Sequence, residues 1–156
     1  MRKHKPKPRV LQPDSRYNST DITRFVNMMM YDGKKGTAFK CFYEAMDIVQ
    51  EKMENENALD VWKRAIQNIM PHVEVKSRRV GGSTFQIPIE IRPDRRMSVA
   101  IKWTILYSRK RSGKGYANKL AAEIMAAAKG EGAAVKKRED THRMAEANRA
   151  FAHFKV

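Results

Sequence analysis

The residue types that perform covalent or metal chemistry occur in this chain, but not at working spacings. The turn Gly33 to Thr37, GKKGT, invites a phosphate-loop reading, yet that loop needs a glycine five residues ahead of its Gly-Lys pair, and Met28 stands there. The second Gly-Lys pair, Gly113-Lys114, fails in the same way, with Ser108 at the required place. His4, His72, His142 and His153 have no His or Cys partner at zinc-ligand spacing, so each reads as a surface or packing residue. Cys41 is the only cysteine, which excludes an intramolecular disulfide and any four-Cys zinc module. It reads as a small buried residue on a helix, in a reducing compartment, rather than as a nucleophile. The carboxylates recur at i, i+3 and i+4, the spacing of solvated helix faces rather than of an acid–base pair. These residues therefore predict no catalytic site, no metal and no cofactor.

Charge is the chemistry that remains. The chain has 156 residues and a formal charge of +15, from 32 Lys and Arg against 17 Asp and Glu. The excess is regional. Residues 1 to 16 hold six basic residues against one acidic, and residues 76 to 119 hold twelve against two, while the other stretches nearly cancel. A concentrated basic face predicts a polyanionic partner, since an acidic small molecule would need only a local pocket. Arg78 and Arg79, then Arg92, Arg95 and Arg96, then Arg109, Lys110, Arg111 and Lys114 are expected to form one strip of phosphate contacts. Such contacts supply affinity but little sequence information. No RNP-type aromatic sheet or zinc finger is present to read bases.

The elements that must position this strip are mostly helical. Residues 1 to 18 hold Pro6, Pro8 and Pro13 among basic residues and read as an arm that becomes ordered on its partner. From Ser19, the residues Ile22, Phe25, Val26, Met29 and Met30 keep one helical face, with Ser19 or Thr20 as N-cap and Gly33 as a C-terminal stop. After the GKKGT turn, Phe39, Phe42, Tyr43, Met46, Val49 and Met53 form a second apolar stripe, opposite an acidic face of Glu44, Asp47, Glu51 and Glu54. A third helix, through Leu59, Trp62, Ile66 and Ile69, runs to Pro71, with Trp62 as core.

At Val73 the period changes to two. Val73 and Val75, then Phe85, Ile87, Ile89 and Ile91, predict a β-hairpin over about 73–91, with its tip near Arg78 to Ser83 and its base against the helices. Pro93 opens a segment to Ser108 that reads as helix, with strand left open by its β-branched residues. RKRSGKG, residues 109–115, reads as a basic loop. A further helix passes through Leu120 and Ile124 to Gly130, and a last one spans about 132–148. The fold class is mainly α: about six helices, one projecting two-stranded hairpin and basic arms at both ends. Residues 19–148 form a single domain, and 149–156 a tail in which Phe151 and Phe154 dock. No run approaches eighteen apolar residues, and MRKHKPKPR lacks a signal peptide's apolar stretch, so a soluble cytoplasmic protein is expected.

Three stretches carry a resemblance. They are Ser19 with Phe25-Val26, Gly33-Lys34-Lys35, Phe42 and Ala45; then RVGGSTFQIPIEIRPDRR at 79–96 with Trp103; and KKREDTHRMAEANRAFAHF at 136–154. In this order they resemble the bacterial-type small-subunit ribosomal protein seven family, from about Pro6 to Phe154. Cys41 stands where the pattern has an aliphatic residue, and the tail after Phe154 is short. The resemblance implies binding to the 3′ major domain of small-subunit ribosomal RNA, early assembly of the subunit head, a place near the exit tRNA, and contact with the eleventh small-subunit protein. Carried over by position, the RNA contacts would be Arg2, Lys3, Arg9, Lys34, Lys35, Arg78, Arg79, Arg92, Arg95, Arg109, Arg111 and Lys114. The rival readings are a DNA-architectural protein using its ribbon as a groove-inserting arm, an enzyme acting on nucleic acid, and a protein-interaction module using the acidic second helix.

Overall fold

The computed structural model describes residues 9–154, so the expectations for Arg2 and Lys3 lie outside the described residues. Among the described residues the elements run α1 (Thr20–Met29), α2 (Lys35–Lys52), α3 (Ala58–Ile69), β1 (Val73–Val80), β2 (Ser83–Glu90), α4 (Pro93–Lys110), α5 (Tyr116–Ala128), α6 (Ala133–Ala147) and a C-terminal 3-10 helix, Arg149–Phe154. The mainly helical fold with one hairpin is as the periodicities predict. The segment after Pro93, where strand was open, is helix, with Pro93 at its first turn and Arg92 at its N-cap. The chain divides after Lys40, inside α2, into two compact units.

In the first unit, Ile22, Phe25, Val26 and Met29 of α1 are buried as their spacing requires. Ser19 occupies the N-cap position without a side-chain cap bond. Local order comes from Asp14 instead. Its carboxylate accepts backbone N–H bonds from Ser19 at 2.9 Å, Tyr17 at 2.9 Å and Arg16 at 3.2 Å. A charged acceptor of several backbone donors fixes a turn more firmly than a neutral hydroxyl does. The helix stops at Met29, leaving Met30 outside it, and the chain turns through Asp32 and Gly33, both at positive φ. Lys35 and Gly36, expected in that turn, already belong to α2.

In the second unit, α3 buries Val61, Trp62, Ala65, Ile66 and Ile69. Trp62 is 1% exposed and meets Phe42 edge-on at 6.2 Å, which makes it core. Helix α3 packs on α4, α5 and α6, and α4 packs on α5. Full burial of side chains the size of Ile66, Ile101, Leu120 and Ile124 contributes about 1.5–3 kcal/mol each, which holds this bundle together. Asn68 of α3 closes the C-terminus of α5, donating from Nδ2 to the carbonyls of Ala127 at 2.8 Å and Ala128 at 3.2 Å.

The ribbon differs in detail from its expectation. Gly81 and Gly82 alone make the turn, both with positive φ, as a two-residue hairpin connection demands. Arg78 and Arg79 therefore lie on β1 rather than in the tip. The register pairs Arg78 with Phe85, Lys76 with Ile87 and Val75 with Pro88. Directly opposed residues share a face, so Val75 leaves the opposite face from Phe85, Ile87 and Ile89, with which it was expected to pack. Ile87 is buried, while the outer part of the ribbon is exposed.

Candidate nucleic-acid interface

Alternation along β1 sends Arg78 and Arg79 to opposite faces of the ribbon. Both are exposed. The base of the ribbon is clamped to the first turn of α4 by two ion pairs on opposite faces. Arg95 reaches Glu74 with Nε at 3.3 Å and Nη2 at 3.1 Å. Arg96 reaches Glu90 at 3.0 Å and donates from Nε to the carbonyl of Ile91 at 2.9 Å. Lys76 also pairs with Glu74, at 3.4 Å. Arg95 therefore has a structural task at the position that the sequence assigned to RNA. Arg92, at the N-cap of α4, is exposed.

Helix α4 runs to Lys110, so Arg109 and Lys110, expected in a loop, are helical. This exposes a relation that segment sums hide. Arg95, Lys102 and Arg109 recur every seven residues, and an α-helix drifts only about 20° per heptad, so the three lie on one face. Lys102 was not singled out from the sequence. The seven-residue spacing is the signal that finds it, and Leu106, 44% exposed, falls on the same stripe. Lys110 lies 5.7 Å from the Tyr107 ring centroid.

The loop from Arg111 to Gly115 is built on a buried carboxylate. Arg111, the C-cap of α4, donates from Nε to Glu123 Oε2 at 2.7 Å. Glu123 is 0% exposed, and its Oε1 accepts the backbone N–H of Ala134 at 3.0 Å. Helix α6 begins after Gly132, which has no capping side chain, so Glu123 of α5 satisfies one of its orphan donors from outside the helix. Gly132 has φ +98°, and a Cβ there would stand 3.2 Å from Glu123 Oε1. The sequence expectation that carboxylates line solvated faces fails at Glu123. Its signal was a lone acid in the otherwise apolar run Leu120 to Ala128 of α5. Arg111 is thus half committed inward, while Lys114 is exposed in the loop.

In the first unit, Arg9, Lys34 and Lys35 are exposed. Lys34 donates its backbone N–H to the carbonyl of Tyr31 at 2.9 Å, and the Lys35 ammonium lies 5.7 Å from the Phe39 ring centroid at the start of α2. Elsewhere, His142 of α6 accepts the backbone N–H of His72 through Nε2 at 3.1 Å, beside Arg138. Partial burial, then Arg138, then His72 hold the His142 imidazole below its ordinary value of 6.5. Among the described residues no group of His, Cys, Asp and Glu is arranged to hold a metal ion, and no helix is long and apolar enough to cross a membrane.

Exposed arginines on the two faces of a ribbon, a basic stripe on a helix and a basic loop are groups suited to phosphate oxygens. The comparisons agree with that chemistry. The profile of the family described as Ribosomal protein S7p/S5e matches residues 1–149. The chain is 63% identical to small ribosomal subunit protein uS7 of Flavobacterium psychrophilum over 157 residues, covering 99% of both chains. The corresponding protein of Christiangramia forsetii is also 63% identical and that of Bacteroides fragilis 58%, each with 99% coverage of both chains.

Proposed function

Because the chain belongs to the ribosomal protein S7p/S5e family, and is therefore a structural component of the small ribosomal subunit rather than an enzyme, we propose that its basic surface docks it on the 3′ major domain of small-subunit ribosomal RNA. On that domain it helps to nucleate the subunit head, lies near the exit tRNA and neighbours the eleventh small-subunit protein, in cytoplasmic ribosomes. The DNA-architectural alternative falls with the family assignment. One observation carries the reading: the twelve basic residues of 76–119, against two acidic, are distributed over the ribbon, the length of α4, the loop after it and the first turn of α5.

The contacts divide by what the structure asks of each side chain. Arg78, Arg79, Arg92, Lys102, Arg109 and Lys114 meet RNA phosphates from the second unit, and Arg9, Lys34 and Lys35 do so from the first. Arg95 and Arg111 act chiefly by holding the ribbon base and the loop in place, and add their residual charge to the field. Cross-linking the protein within purified small subunits and mapping the nucleotides reached tests this assignment. Cross-links from positions 79, 102 and 114 to the 3′ major domain are expected. Cross-links confined to another domain, or to protein alone, refute it.

A further inference from the structure

The C-terminal 3-10 helix lies against the outer half of the ribbon. The rings of Phe151 and Phe154 stand 5.2 and 5.5 Å from that of Phe85 on β2, centroid to centroid. Phe85 is opposite Arg78 in the register, so the two side chains leave the same face. Arg78 donates from Nη1 to the backbone carbonyl of Phe154 at 2.8 Å. The tail thus holds the ring beside Arg78 and also one nitrogen of its guanidinium. No residue of the 3-10 helix is buried, so it adds little to the core, yet it meets the ribbon well away from the ion pairs that fix the base. A carbonyl accepts one of the five N–H donors of a guanidinium and leaves its charge intact. A fork held in this way loses less freedom when it meets a phosphate.

We propose that the C-terminal 3-10 helix is a strap that pre-orients Arg78 for a phosphate of the bound RNA, with Phe151 and Phe154 as positioning residues acting through Phe85. The inference rests on the reading that Arg78 contacts RNA, and the experiment separates the two. Binding of full-length variants to a transcript of the 3′ major domain is measured for Arg78→Ala, for the pair F151A/F154A, for all three changes together, and for F151Y/F154Y. Arg78→Ala is expected to lower the magnitude of the log–log salt slope by about 0.7–0.9, the share of one phosphate. The alanine pair is expected to bind about three- to tenfold more weakly, the cost of reordering one long side chain. In the Arg78→Ala background the same pair should have no further effect, and the tyrosine pair should bind as the parent does. Phe85→Leu, made from the ribbon side, should repeat the loss should the tail variants prove poorly behaved. A loss that persists in the Arg78→Ala background, or an alanine pair that binds as the parent does, overturns the strap. An Arg78→Ala protein with unchanged affinity and slope overturns the RNA contact itself, and the strap with it.

Discussion

Replacing Glu123 by alanine tests whether the basic loop and the start of α6 share one support. Glu123 is 0% exposed and accepts from Arg111 at 2.7 Å and from the Ala134 N–H at 3.0 Å. The change strands a buried backbone donor, leaves a guanidinium without its counter-charge and opens a cavity. Breaking a buried ion pair from one side costs about 3–5 kcal/mol. With an unfolding entropy of about 2.1 cal/mol/K per residue, a chain of this length should melt roughly 10–15 °C lower. Glu123→Gln keeps the volume and an acceptor for Ala134 while losing the charge, so it should cost about 1.5–3 kcal/mol, the worth of a hydrogen bond to a charged group. Gly132→Ala should also destabilise, because it puts a side chain at φ +98° against Glu123 Oε1. Thermal unfolding followed by far-ultraviolet circular dichroism measures all three, and the paired change R111M/E123L should recover the share due to the unpaired guanidinium and the cavity but not that of the Ala134 N–H, which a leucine leaves without an acceptor. A Glu123→Ala protein melting within about 2 °C of the parent, under conditions where two-state analysis holds, would refute the account of Glu123 as a shared support.

Binding to ribosomal RNA should be dominated by counterion release, with a log–log salt slope of about −6 to −8 for the nine side chains assigned to phosphates, and a slope near zero would sink the electrostatic account. Removing residues 79–84 and joining Arg78 to Phe85 through Asn-Gly keeps the register below the turn. That variant should retain its helical signal and cooperative melting while losing exit-site function in reconstituted subunits; loss of cooperative folding would show that the ribbon's outer part is structural. The lowered pKa of His142 means that the unfolded chain takes up a proton that the folded chain resists. Stability from this group is therefore full above 6.5 and is lost as pH falls from there through the folded value. His142→Gln should flatten the stability profile over that window, and an unchanged profile by chemical denaturation at several pH values would contradict this.

The elements were legible because their periods are strong. Val73 marks a change from a helical spacing to alternation, Pro93 opens a helix, and Trp62 sits on an apolar stripe. The places where the sequence misled are those where the answer depends on a partner distant in the chain. The turn is one case. Two adjacent glycines with positive φ fix a two-residue connection, and the register that follows puts Val75 on the face away from Phe85. The signal was present at Gly81-Gly82, but treating the surrounding arginines as tip residues hid the consequence for the faces. Glu123 is a second case, since its carboxylate serves α4 and α6 from α5 and neither partner is near it in sequence.

The candidate RNA contacts show the same limit more sharply, because a count of charges treats every guanidinium alike. Arg95, Arg96 and Arg111 each face a carboxylate that the fold brings from another element, and Arg78 faces a carbonyl of the tail. A paired arginine retains donors and a residual field, but its position is set by its partner, so it acts on RNA partly by deciding where its neighbours stand. The ribbon clamp illustrates this. Glu74 and Glu90 are the ribbon's own carboxylates, and a basic surface gains nothing directly from placing them there. They neutralise part of two arginines and in exchange tie the ribbon that carries Arg78 and Arg79 to the start of α4. Isolated from such pairs, Lys102 and Lys114 should weaken binding when neutralised without lowering stability. Neutralising Arg95 should do both, since it releases the ribbon base while it removes a charge.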